Sequence, residues 1–117
     1  MESILTLEDV TKELGLRYFS QDWGIINCDR SRIIEFIDYY SNNEIILKAN
    51  KAIKYGMLEL IIASFNDYLM AKIDDQYTLN RIKVFVSKVA NDSDFIIIRN
   101  YWLTIKNKLE FPVGYEL

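Results

Sequence analysis

The chain has 117 residues, 50% of them hydrophobic and 26% charged, with 14 basic and 17 acidic side chains, one cysteine and no histidine. That is one domain's worth of chain, residues 1–117, enough to bury roughly two thirds of its unfolded surface around a single core. A formal charge of −3 with a pI near 4.9 argues against a non-specific nucleic-acid binder, which must neutralise phosphates. The apolar content is too high for a disordered chain.

The apolar spacing is helical almost throughout. Thr6 is placed to cap a first helix with Asp9 three residues on, Leu7, Val10 and Leu14 share a face, and Gly15 ends it. Leu16 to Cys28 reads as a loop packed over the core around Tyr18, Phe19 and Trp23, with room for one helical turn. A helix follows Asp29 or Ser31, with Ile33, Ile34, Ile37 and Tyr40 inward and Ser41-Asn42-Asn43 as its stop. The next runs from about Glu44 to Tyr55, with Gly56 as a left-handed C-cap. Met57 to about Ile73 then buries Leu58, Ile61, Ile62, Phe65 and Leu69, and Asp74-Asp75 closes it. Thr78 caps a helix carrying Leu79, Ile82, Phe85, Val86 and Val89. After Asn91, Asp92 or Ser93 caps a last helix with Phe95, Ile98, Trp102, Ile105 and Leu109 at steps of three and four, ended by Pro112 and Gly114. The expectation is an all-α domain of five to six amphipathic helices, as an antiparallel bundle or a short helical solenoid.

Several chemistries lack their residues. Without histidine there is no Ser-His-Asp or Cys-His pair. Four scattered glycines make neither a P-loop nor a dinucleotide fingerprint. No cofactor and no metal is expected, and no enzyme activity. Cys28 forms no intrachain disulfide, which suits a reducing, cytoplasmic setting. The acidic stretch Met1–Asp9 has no basic or long apolar region, so no signal peptide is expected. Met57 to Phe65, broken by Glu59 and Ser64, is far short of the ~20 residues a membrane span needs.

Charge is uneven. Residues 1–28 carry Glu2, Glu8, Asp9, Glu13 and Asp22 against two bases, and 29–44 carry Asp29, Glu35, Asp38 and Glu44 against Arg30 and Arg32. Helical spacing places Glu59, Asn66, Asp67 and Asp74 on one acidic stripe, and Glu35, Asp38, Tyr39 and Asn42 on a polar ridge. These ridges are either the solvated faces every bundle has or, interleaved with some of the eight tyrosines, a surface for a basic protein. On the second reading Glu35, Asp38 and Tyr39, with Asp67, Asp74 and Asp75, make the contact.

A small, acidic, helical chain with tyrosine-bearing polar ridges, and with the stretch Leu47 to Leu69, resembles bacterial immunity proteins. The nearest types are the helical immunity proteins of contact-dependent growth inhibition and of nuclease colicins. The resemblance lies in overall character, so no family residue transfers. It implies a tight cytoplasmic complex with a cognate protein toxin, often a basic nuclease, whose active site or substrate channel is covered. It implies no direct contact with nucleic acid or membrane. A helical adaptor or phage-encoded inhibitor of another protein, a self-associating structural domain and a carboxylate-tyrosine enzyme are the other readings.

Overall fold

The computed structural model, which describes residues 6–117, is all-α. The helices are α1 (Leu7–Leu14), α2 (Trp23–Ile26), α3 (Ile33–Asn42), α4 (Glu44–Lys48), α5 (Lys51–Met70), α6 (Gln76–Val89) and α7 (Ser93–Ile105). Arg30–Arg32 and Pro112–Tyr115 form 3₁₀ turns. Among the described residues the five to six expected helices become seven, because α2 is a helical turn inside the expected loop Leu16 to Cys28. Residues 1–5, part of the stretch in which no signal peptide is expected, lie outside the described residues.

Helix ends follow local hydrogen bonding. The Thr6 hydroxyl accepts from the Asp9 N–H while the Asp9 carboxylate accepts from the Thr6 N–H, and Gly15 closes α1 at φ 64°. Asp29 caps the 3₁₀ turn that leads into α3. Asp92 caps α7 by accepting from the N–H groups of Asp94 and Phe95. For α6 the cap is Asp75 and not Thr78: the Asp75 carboxylate accepts from both the N–H and the hydroxyl of Thr78. The helix therefore starts before the expected cap, because a carboxylate three residues upstream captures the free donors.

Gly56 does not end a helix. The chain leaves helical geometry earlier, at Asn50 (φ −136°, ψ 87°), and α5 then runs unbroken through Gly56 to Met70. Ile53, Met57, Leu60, Ile61 and Ser64 stay in phase across the glycine, and their burial outweighs its low helix propensity. The expected helix 44–55 and helix 57–73 are thus a short α4 and one 20-residue α5. The last helix also ends earlier than expected. It stops at Ile105, and Leu109 sits at the tip of a turn closed by a bridge between Asn107 and Phe111, 85% exposed.

α5 is the hub. It packs against α2, α3, α4, α7 and both 3₁₀ turns, while α6 is carried on α3, where the Phe85 and Tyr40 rings meet edge to face at 5.3 Å. In a solenoid each unit touches only its neighbours. Here one helix touches elements from both halves of the chain, which is a bundle. α5 is accordingly buried on almost every side, and each of its leucines and isoleucines removed from water contributes about 1.5–3 kcal/mol. This overturns the expected acidic stripe. Asn66 is buried, Glu59 and Asp67 are partly covered, and Asp74 lies beyond the helix.

Asn66 has a structural task. Its Nδ2 donates to the Glu110 carbonyl (3.1 Å) and its Oδ1 accepts from the Val113 N–H (3.1 Å), tying the C-terminal turn to α5. Asn66→Ala is expected to destabilise by about 2 kcal/mol, since a buried N–H loses its acceptor. Hydrogen exchange at Val113 checks this, and unchanged protection there would contradict it.

Candidate functional site

α1 and α3 bring Glu35, Asp38 and Tyr39 together. With Glu13, Leu14, Ile34 and Asn42 they line a wide, open cleft of about 530 Å³. Helical spacing put Ile34 inward with Ile33, Ile37 and Tyr40. It is instead half-buried in the cleft, while Phe36 takes the core position. Ile34 also lines a narrower hollow of about 180 Å³, with Arg30, Ile33, Tyr68, Ile73, Asp75 and Thr78 among its walls. One apolar side chain therefore separates two depressions on a single face.

The charged groups lining the cleft each have a partner. The Arg32 guanidinium grips both Glu35 oxygens (2.9 and 2.6 Å) and the Leu14 carbonyl (2.6 Å), so α3 is tied to the end of α1. The hydrogen bonds from Arg32 hold the Glu35 carboxyl below the usual carboxylate range. Asp38 pairs with Arg81 of α6. The Tyr39 hydroxyl donates to Glu13 Oε2 at 2.8 Å, and burial followed by that bond pushes the phenol well above its ordinary value. These exposed pairs are worth at most about 1 kcal/mol each. Their effect is positional: they fix a carboxylate and a tyrosine at the rim.

The other expected contact residues lie elsewhere. Asp75 is the α6 cap at the wall of the narrower hollow, with the exposed Asp74 beside it. Asp67 turns from both depressions and accepts from the Cys28 thiol (Sγ–Oδ2 3.2 Å). Burial, with Asp67 adding to it, pushes the Cys28 thiol up to about 12, so it is a protonated donor at neutral pH. The six residues thus divide into the cleft (Glu35, Asp38, Tyr39), the hollow's margin (Asp74, Asp75) and the side of α5 (Asp67).

Comparison with family models, with curated proteins and with solved structures finds no match. Among the described residues no helix is long and apolar enough to cross a membrane, and no three His, Cys, Asp or Glu side chains converge as a metal site requires.

Two carboxylates outside the expected set lie at the crossing of α2 and α5. Glu59, half-buried on α5 beside Gly24, has no hydrogen-bond or ion-pair partner among the described residues, and neither has the Asp22 side chain. Burial first, then the charge of Asp22, raises the Glu59 carboxyl above its ordinary value. A carboxyl that holds its proton more tightly folded than unfolded loses stability as pH rises past the ordinary range toward its raised pKa. Glu59→Gln is therefore expected to raise the midpoint of thermal unfolding at pH 7 and to leave it nearly unchanged at pH 3. An equal effect at both pH values would argue against a buried charge.

Proposed function

We propose that this chain is a toxin-neutralising immunity protein, acting in the cytoplasm on a basic cognate partner of the nuclease class. The observation that carries the reading is the open α1–α3 cleft, in which Glu35, Asp38 and Tyr39 are locked in place around the apolar Ile34. An open cleft with a rigid tyrosine and charged rim suits a protein surface better than a small molecule, which takes enclosed apolar sites. A nuclease must hold a phosphate backbone with positive potential, so an acidic protein is steered to that same surface and competes for it. Asp75 lines the adjoining hollow, and the exposed Asp74, between the lining residues Ile73 and Asp75 in sequence, extends the rim.

The test is affinity capture from the native host at moderate salt, with mass spectrometry of what stays bound. A basic partner recovered near one to one, and lethal when expressed alone, supports the reading. A non-toxic partner points to an adaptor, and recovery of the chain alone points to self-association. With the partner in hand, Asp38→Lys, which also repels Arg81, should weaken binding by about tenfold or more. Unchanged affinity would remove the cleft from the interface.

A further inference from the structure

The segment between α1 and α3 is built outward in an unusual way. Only Trp23 and Gly24 of α2 face the core. Ile25 and Ile26 face solvent, at 38% and 47% exposure, with Tyr18 nearby at 51%. A single solvent-facing turn needs no isoleucines for its own stability. Beneath them lies Glu59: a Cβ built on Gly24 would sit 3.1 Å from the Glu59 Cβ. Beside it is Asp22, in the left-handed region at φ 55° and without a side-chain cap bond. Arg17 is the nearest base in sequence, and its guanidinium stacks on the Phe19 ring at 5.6 Å.

This projecting segment is held from below. The Asn27 side chain accepts from the Arg17 N–H (3.0 Å) and donates to the Arg17 carbonyl (2.8 Å), closing the loop's neck and bringing Tyr18 over to α2. The Trp23 indole N–H donates to the Thr11 hydroxyl (2.9 Å), pegging α2 to α1. Ordering the loop on binding therefore adds little entropy loss.

We propose that Tyr18, Ile25 and Ile26, with Asp22 and Glu59, form a second contact surface for a basic segment of a protein partner, whose Arg or Lys enters between the two carboxylates. The inference rests on the reading of the chain as a protein-binding inhibitor and adds a surface to it. Charge complementarity selects this occupant. The acids of the α1–α3 cleft have bases or a tyrosine of their own, whereas Glu59, half-buried under Gly24, and the exposed Asp22 at the start of α2 have no cation among the described residues, and an unpaired charge is least favourable where it is half-buried, at Glu59. A cation from outside answers that, and its apolar neighbours cover the isoleucines. Asp67 flanks the same side of α5 through its bond to Cys28, the residue after Asn27.

The test is a nuclear magnetic resonance titration of the full chain at low salt with the peptide acetyl-Leu-Arg-Leu-Arg-amide, beside its citrulline analogue, which keeps shape and loses charge. The expected result is shifts concentrated at residues 18–26 and 59 with the arginine peptide alone. Affinity should fall about tenfold in Asp22→Asn, an asparagine tolerating the left-handed conformation, and in Glu59→Gln. Glu116→Gln, which removes the same charge elsewhere, should bind as the parent does. Equal response to both peptides, or no response, overturns the proposal. Shifts centred on the α1–α3 cleft also overturn it and leave the inhibitor reading standing; that reading fails separately, if capture from the host returns no basic partner.

Discussion

Gly24→Ala is expected to destabilise the protein by about 2–3 kcal/mol and to lower its unfolding midpoint by on the order of 10 °C. The added Cβ would lie 2.7 Å from the Leu60 backbone nitrogen and 2.9 Å from the Gly56 carbonyl oxygen. Both are main-chain atoms in the middle of the most buried helix, so α2 must move and Trp23 must leave its seat. Gly56→Ala is the counterpart at the same crossing. Its Cβ would meet the Trp23 ring at 3.5 Å, an ordinary contact. Alanine's better helix propensity then makes that change neutral or stabilising by up to about 1 kcal/mol. Thermal unfolding followed by circular dichroism, with tryptophan fluorescence reporting on Trp23, separates the two. Equal stability of Gly24→Ala and the parent would mean the helices do not cross this closely.

Lys54→Met is expected to have the larger effect, about 3–5 kcal/mol of destabilisation. Lys54 extends from α5 to Asp92 and Asp94 at the start of α7, its ammonium 3.3 Å from Asp94 Oδ2, with side chains only 9% and 11% exposed. Removing the lysine leaves the Asp94 carboxylate buried without a counter-charge, whereas Asp92 keeps the N–H groups it caps. Lys54→Met with Asp94→Leu should recover much of the loss, because the uncompensated charge goes too. A single variant within about 0.5 kcal/mol of the parent would show the ion pair to be passive.

The same group sets a pH profile. Burial alone would lower the Lys54 pKa, but the hydrogen bonds its ammonium donates to the Asp92 and Asp94 carboxylates overcome that and raise it. Burial alone would raise Asp92, but Lys54 and the α7 N–H groups hold it low. A lysine raised on folding stabilises fully below its ordinary pKa and loses that contribution as pH climbs through the raised one. A carboxyl lowered on folding stabilises above its ordinary pKa and loses that contribution as pH falls through the lowered one. Stability should thus be level near neutrality and fall at both extremes, with Lys54→Met flattening both limbs.

Much of the architecture was legible because helix signals are local. The Thr6–Asp9 box, Gly15 and the Asp92 cap need only their neighbours in sequence, and α3, α6 and α7 each bury one face at helical spacing. The failures on α5 share one cause. A periodicity reading assumes that a helix has an outside, and α5 has almost none, so Glu59, Asn66 and Asp67 were put on a stripe that neighbouring elements cover. Gly56 looked like a terminator because nothing local says that Trp23 arrives from 33 residues away. In the candidate site, spacing brought Glu35, Asp38 and Tyr39 together. It could not place their counter-charges Arg81 and Glu13, which come from other helices, nor tell that Asp22 and Glu59 have none.

A helix that touches nearly everything also governs how the molecule comes apart. Among the described residues no loop separates two halves that each keep a core, since either half would lose the face α5 provides. Local openings can free the Leu109 turn or the α2 segment, but amides around residues 57–66 should exchange only when the whole chain unfolds. Their exchange rate therefore reads global stability directly, and a cut on either side of α5 should yield unfolded fragments that regain structure only on mixing.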